Sequence, residues 1–283
     1  MNWNRIWNVS RLVCFLLGIS LAIVLALRST VSQAGKPVYV GAATSDTVPM
    51  VAIEHQAWDE LLGKYVDDDG LVDYRGWKGN RADRTKLQNY LKHLSSASLA
   101  QSTDANVQLA FWINAYNAVT VEGILREYPT SSIRNHTAKL VGYNIWKDLK
   151  LHVDDKAVSL DEIEHQVLRK MSEPRIHFAI VCASVGCPRL LNEAYMAERL
   201  DEQLDTNARD FFSREQNFRF DSNRNQFSLS AILNWFGEDF GGSREALLKR
   251  LSPWLPSQAA KQTAARGEGT VSFLPYDWDL NKQ

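Results

Sequence analysis

The chain has 283 residues, 45% of them hydrophobic, enough for one large domain or two small ones, and this excludes disordered, collagenous and coiled-coil architectures. Lys and Arg total 32 against 33 Asp and Glu, a net charge of -1, so no global field draws in nucleic acid and none is expected as a partner. Three Cys are too few for a disulfide scaffold, and neither a cofactor nor a resident metal is expected.

Arg5 and Arg11 precede an uncharged run from Leu12 to Leu27, after which Arg28 and a small polar stretch ending Ser32, Gln33, Ala34 restore water-compatible sequence. That is the order of a signal peptide. A helix of this run reaches only about 24 Å, at ~1.5 Å per residue, short of the ~30 Å hydrocarbon core. Residues 1–34 are therefore predicted to be a signal peptide cleaved near Ala34, with an N-terminal anchor through residues 12–27 as the alternative. The protein is expected to be exported, periplasmic or extracellular, touching a membrane only through this segment. Cys14 follows Val13 rather than Gly or Ala, a poor setting for lipid attachment, which leaves Cys182 and Cys187 in the mature chain.

Residues 35–52 are small and polar without sustained periodicity, as expected of a linker, and 53–283 then form one globular domain. Helical spacing begins at Trp58, Leu61, Leu62 and Tyr65. Asp67, Asp68, Asp69 and Gly70 follow, an Asp-Gly turn rather than a calcium loop, because Lys78 would stand where the bidentate Glu belongs. A helix over Leu87–Leu94 precedes a long one from Asn106 to Arg126, on which Asn114 and Asn117 share a face of a mostly apolar surface. Buried amides need specific partners. They would tie a neighbouring backbone to the core, or hold a catalytic loop and donate to an oxyanion.

Short extended runs around Leu149–Val153 and Ala157–Val158 flank Asp154 and Asp155 and predict a β-hairpin. Ser159 and Glu162 have the spacing of a capping box opening a helix that carries Glu164 and an i,i+4 pair, His165 and Arg169. Beyond Pro174, Ile176 to Cys182 is apolar on both faces apart from His177, as in a central strand. Further helices are predicted over Asn192–Phe212, Ile232–Phe236 and Arg244–Leu251, and strands at Phe218–Phe220, Gln226–Leu229 and Thr270–Leu274. The fold class is α+β, a single domain with one small, mostly antiparallel sheet packed by several helices.

The strand from His177 runs into a turn of small residues with a thiol on each side, Cys182 and Cys187. Pro188 suits the first position of a helical turn, which would put Cys187 at a cap where free amides favour a thiolate. Cys187 is then the nucleophile, with Cys182 as the competing sulfur, His177 the general base, Glu164 its orienter, and Asn114 or Asn117 supplying hydrogen bonds. Three other readings use the same residues: a Cys182–Cys187 disulfide, a Cys/His metal site including His177, and plain core packing.

The helix Phe111–Asn117 with its Trp112, Asn114 and Asn117, the block Ser159 to His165 with Leu168 and Arg169, the stretch Arg175–Cys182, the Gly186–Cys187–Pro188 turn and the closing Tyr276–Asn281 together resemble domain-of-unknown-function family 547. The resemblance implies that Asn114, Asn117, Glu164, His165, Arg169, His177, Cys182 and Cys187 are the family's own motif residues here. It carries no established activity. Papain-like and transglutaminase-like thiol enzymes are a further comparison, with one departure: their nucleophile usually begins a long helix ahead of the base-bearing strand, whereas here His177 comes first. The expected function is thus an exported thiol-dependent hydrolase or acyltransferase acting on an amide or ester in a small-molecule, peptide or cell-envelope substrate. The alternative is a non-enzymatic envelope domain built on the same residues.

Overall fold

The computed structural model describes residues 36–100, 104–137 and 142–283. The predicted leader and its cleavage site lie outside the described residues. In chain order the elements are β1 (Val38–Val40), α1 (Gln56–Tyr65), α2 (Tyr74–Gly79), α3 (Arg81–Ser95), α4 (Ala105–Glu127), β2 (Leu149–Val153), β3 (Lys156–Ser159) and α5 (Leu160–Glu162). After them come α6 (Leu200–Ser213), β4 (Phe218–Asp221), β5 (Gln226–Leu229), α7 (Ile232–Trp235), α8 (Arg244–Leu251), α9 (Gln258–Ala265) and β6 (Thr270–Phe273). The fold is α+β, as expected from the scattered strands and dominant helices.

Two small sheets replace the single one expected. Each is a hairpin that recruits a distant edge strand in parallel: β2 and β3 pair antiparallel and β1 joins β2, while β4 and β5 pair antiparallel and β6 joins β5. The stretch read as a linker therefore contributes structure. Val38 and Val40 lie opposite Leu149 and Leu151, and Val40 and Met50 are buried. Three residues are too few for periodicity to reveal a strand; β2 supplies the template.

α4 is the axis of the larger half of the core. Every residue from Leu109 to Leu125 is buried, so its apolar surface runs right round the helix instead of forming one stripe. α1, α2 and α3 pack on one side through stacked rings, Trp58 on Tyr90 and Tyr65 on Trp77. The second half, built from α6, the β4–β5–β6 sheet, α8 and α9, has its own aromatic cluster of Phe211, Phe212, Phe218 and Phe227.

The segment predicted as a central strand is the seam between the halves, and it is not a strand. Pro174–Phe178 is a 3-10 turn, after which the chain runs on irregularly. Ile176 and Ala179 to Val181 pack into the α4 half, Phe178 into the other. Being apolar on both faces, it satisfies the pattern of a buried strand, yet side chains take the place of neighbouring strands. Asn117 Nδ2 donates to Ala179 O (3.0 Å), Val181 N–H donates to Asn117 Oδ1 (3.0 Å), and Asn207 Nδ2 donates to Phe178 O (2.8 Å). Side-chain pairing also explains the shortened helix after Asn192, which starts only at Leu200. Asn114 closes a two-bond ring with the backbone of Tyr195, and Gln203 Oε1 accepts from Met196 N–H.

Candidate active site at the cysteine turn

The turn after this segment is shaped by the C-terminal tail. Ser184 and Leu280 form an antiparallel bridge, and Val185 and Gly186 donate to the carbonyls of Asp279 and Asp277. Gly186 is needed for that approach: a Cβ there would stand 2.9 Å from both the N and the O of Asp277 and 3.0 Å from the Tyr276 ring. Ala183, between the two Cys, has φ 58, a left-handed conformation that costs a non-glycine residue about 1 kcal/mol. Strain of this kind, held by packing, gathers at functional turns.

The outcome is a compact sulfur cluster. Cys182 Sγ and Cys187 Sγ are 2.8 Å apart, both as free thiols, and the Tyr276 hydroxyl lies 3.2 Å from the first and 3.0 Å from the second. The Cys182 amide also donates to Cys187 Sγ at 3.0 Å. The expected helical turn from Pro188 is absent, so no helix dipole acts on Cys187. Acidification comes from the partner thiol instead. The hydrogen bond from Cys187 brings the Cys182 thiol down to about 7, whereas burial, and then the neighbouring sulfur, hold Cys187 well above the usual thiol range. With the amide aimed at Cys187, the first negative charge belongs to the pair. Cys182 is partly exposed and Cys187 only 7% exposed, so Cys182 is the sulfur that a reagent meets.

Both sulfurs line a cavity of about 230 Å³. On one wall Glu164 accepts from the Tyr116 hydroxyl at 3.2 Å. Burial raises the Glu164 carboxyl above the usual carboxylate range, with the Cys182 charge adding to the rise. Glu164 and His165 sit in a short π-helical stretch, Ile163–Val167, that continues α5 beyond its capping box. Such stretches often mark functional positions. The other wall carries His177, stacked on Phe236 with 4.2 Å between ring centres, its Nε2 2.7 Å from Asp239 Oδ2. Arg169 grips the same carboxylate through Nε and Nη2 (2.7 and 2.8 Å) and reaches His165 Nδ1 at 3.1 Å. Burial lowers the His177 imidazole despite Asp239, while Arg169 and then His177 hold Asp239 below the carboxylate range. Trp146, Trp235, Phe236 and Trp278 complete the walls, Asp161 adds a second acid, and neither Lys nor Arg is among the lining residues.

The cavity thus brings together Glu164, His177, Cys182 and Cys187, and corrects how they connect. Glu164 is hydrogen-bonded to Tyr116 and not to His177, whose orienting carboxylate is Asp239. His177 makes no hydrogen bond to either sulfur. Both Asn amides are engaged with buried backbone, Asn114 with Tyr195 and Asn117 with Ala179 and Val181, which removes them from direct contact with the cavity. Among the described residues no three His, Cys, Asp or Glu side chains are grouped to hold a metal, and His177 is committed to Asp239 rather than to a Cys/His set. Sequence reasoning missed Asp239, Tyr116 and the sulfur contact of Tyr276. The tail motif was the one available signal for Tyr276; Asp239 lies far along the chain in an ordinary-looking Gly-Glu-Asp-Phe turn.

Residues 100–212, which carry α4, the capping-box segment and the cysteine turn, match the family model described as "Protein of unknown function, DUF547". Over those residues the chain is similar to that family. The DUF547 segment supplies both sulfurs, Glu164 and His177, whereas Asp239, Trp235 and Tyr276 lie beyond the matched residues. No curated protein and no solved structure matches the chain.

Proposed function

We propose that this cavity is the active site of a thiol-dependent hydrolase or acyltransferase acting on an amide or ester, with Cys182 as the nucleophile. The observation that carries the reading is the sulfur pair at the cavity wall, 2.8 Å apart and sharing the Tyr276 hydroxyl, which favours one thiolate near neutral pH. The Cys182 thiolate attacks the acyl carbon; the C–S bond forms and the carbonyl electrons move to oxygen. Collapse of that intermediate expels the amine or alcohol, which takes its proton from Glu164, whose carboxyl burial shifts toward its protonated form. Water or an acceptor then attacks the thioester, giving its proton back to the Glu164 carboxylate and freeing Cys182. His177, held by Asp239, shapes the opposite wall as a positioning residue. The leader pattern makes export part of the proposal, with the substrate in the cell envelope.

Iodoacetamide alkylation at graded pH, read by peptide mass, tests the thiol. Cys182 should label with a midpoint near 7, and Cys182→Ser should abolish the reaction. Labelling only above about pH 8.5, the range of an ordinary thiol, or labelling confined to Cys187, would overturn the assignment. Incubation with p-nitrophenyl acetate should leave a hydroxylamine-sensitive acetyl group on Cys182. Its absence while alkylation proceeds would remove the acyl-transfer part.

A further inference from the structure

Acyl transfer needs one sulfur, and the site has two. Their separation of 2.8 Å leaves less than about 1 Å to close before a disulfide at ~2.05 Å could form. The more exposed sulfur is the acidified one and the buried one is in contact with it, the division of labour between an attacking and a resolving thiol. The cavity in front restricts the oxidant. At about 230 Å³ it admits a small molecule and not a folded protein's loop, and with Asp161 on its walls and no Lys or Arg to pair with an anion it disfavours acidic disulfides. A neutral hydroperoxide meets both conditions.

We propose that Cys182 reduces hydroperoxides and Cys187 resolves the product, so that the acyl-transfer site is switched off reversibly by a Cys182–Cys187 disulfide. The proposal rests on Cys182 being the reactive thiolate. In the first step the thiolate attacks the terminal peroxide oxygen. The O–O bond breaks, the leaving alkoxide or hydroxide takes a proton from solvent, and Cys182 becomes a sulfenic acid. Cys187 sulfur then attacks Cys182 sulfur; the S–O bond breaks and hydroxide leaves with the Cys187 proton as water. The sulfur pair has lost two electrons and the peroxide has gained them. A dithiol reductant restores both thiols and departs as its own disulfide. Cys187 held in its protonated form suits this order, because it waits for the sulfenic acid instead of competing for the peroxide.

Reduced full-length protein treated with stoichiometric hydrogen peroxide at neutral pH should lose two hydrogens in mass. A crosslinked peptide should join Cys182 to Cys187, forming about tenfold faster or more than free cysteine is oxidised. Iodoacetamide labelling of Cys182 should fall at least tenfold and return with dithiothreitol. Cys187→Ser should stop at a sulfenic acid on Cys182 that dimedone captures, and oxidised glutathione should be slower than peroxide. The wild-type mass and crosslink readings hold whether or not that variant folds. If Cys182 alkylates at neutral pH but peroxide leaves both thiols intact, or drives Cys182 to sulfinic acid without a crosslink, the redox proposal fails while the acyl reading stands. Faster oxidation by glutathione disulfide overturns the choice of oxidant. If Cys182 reacts with neither reagent, both proposals fall.

Discussion

Tyr276 is the residue on which the chemistry of the sulfur pair turns. Its hydroxyl reaches both Sγ atoms, and its ring packs against both halves of the core and against Trp235 and Trp278. The hydroxyl can only help a thiolate by donating, because burial pushes its own ionisation far above neutrality. A hydrogen bond to a charged acceptor contributes about 1.5 kcal/mol, which is about one pH unit. Tyr276→Phe should therefore raise the alkylation midpoint of Cys182 by about one unit with little loss of fold, because the ring remains. An unchanged midpoint would mean that the hydroxyl does not donate to the thiolate. Asp239 makes the parallel point on the opposite wall: one carboxylate serves His177 and Arg169 together, and nothing in its local sequence distinguishes it from a surface acid.

At the scale of elements, α4 stabilises a neighbour that has no regular structure. Asn117 satisfies the carbonyl of Ala179 and the amide of Val181, two buried backbone groups that a strand partner would otherwise have served. Asn117→Leu conserves volume but orphans both groups. Since an unsatisfied buried group costs about 1–3 kcal/mol, the variant should lose about 3 kcal/mol of stability in denaturant unfolding. It should also move the alkylation midpoint of Cys182, which directly follows Val181. A loss below about 1 kcal/mol would show that the segment finds other partners, such as water. Gly186 is the corresponding constraint from the tail side, where backbone meets backbone too closely for any side chain.

For the whole molecule, burial of titratable groups sets the acid limit. His55 is buried against Tyr90, with Nδ1 2.7 Å from its hydroxyl, and burial followed by the nearby His93 lowers its imidazole from 6.5 to about 4. Between those values the unfolded chain binds a proton that the native state refuses, so stability falls as pH drops from about 6.5 to about 4. The loss amounts to about 3 kcal/mol at the lower end. In His55→Gln, which keeps a polar partner for Tyr90, unfolding free energy should decline less steeply over that window by about this amount. Parallel curves for the two proteins would place the acid sensitivity elsewhere. His177 acts in the same direction, since its imidazole is also lowered, chiefly by burial.

Local signals in the chain were sufficient for α1, α3, α4, the β2–β3 hairpin, the separate strands β4 and β5 and the capping box at Ser159. They depend on periodicity, turn chemistry and short-range hydrogen bonds, all of which act within a few residues. The same signals singled out His177, Glu164 and both Cys, since a reactive side-chain type at a junction of small residues is visible without coordinates. What they could not supply was partnership. Whether Ile176 to Cys182 pairs with strands or with Asn side chains is decided by what lies across the seam, as is the pairing of β1 with β2 and of β6 with β5. Which carboxylate faces His177, and which hydroxyl sits on the sulfurs, are contacts 62 and 94 residues apart in sequence. Hydrogen-bond partners at such separations are chosen by the packing of the two halves of the core, so only the tertiary structure could determine them.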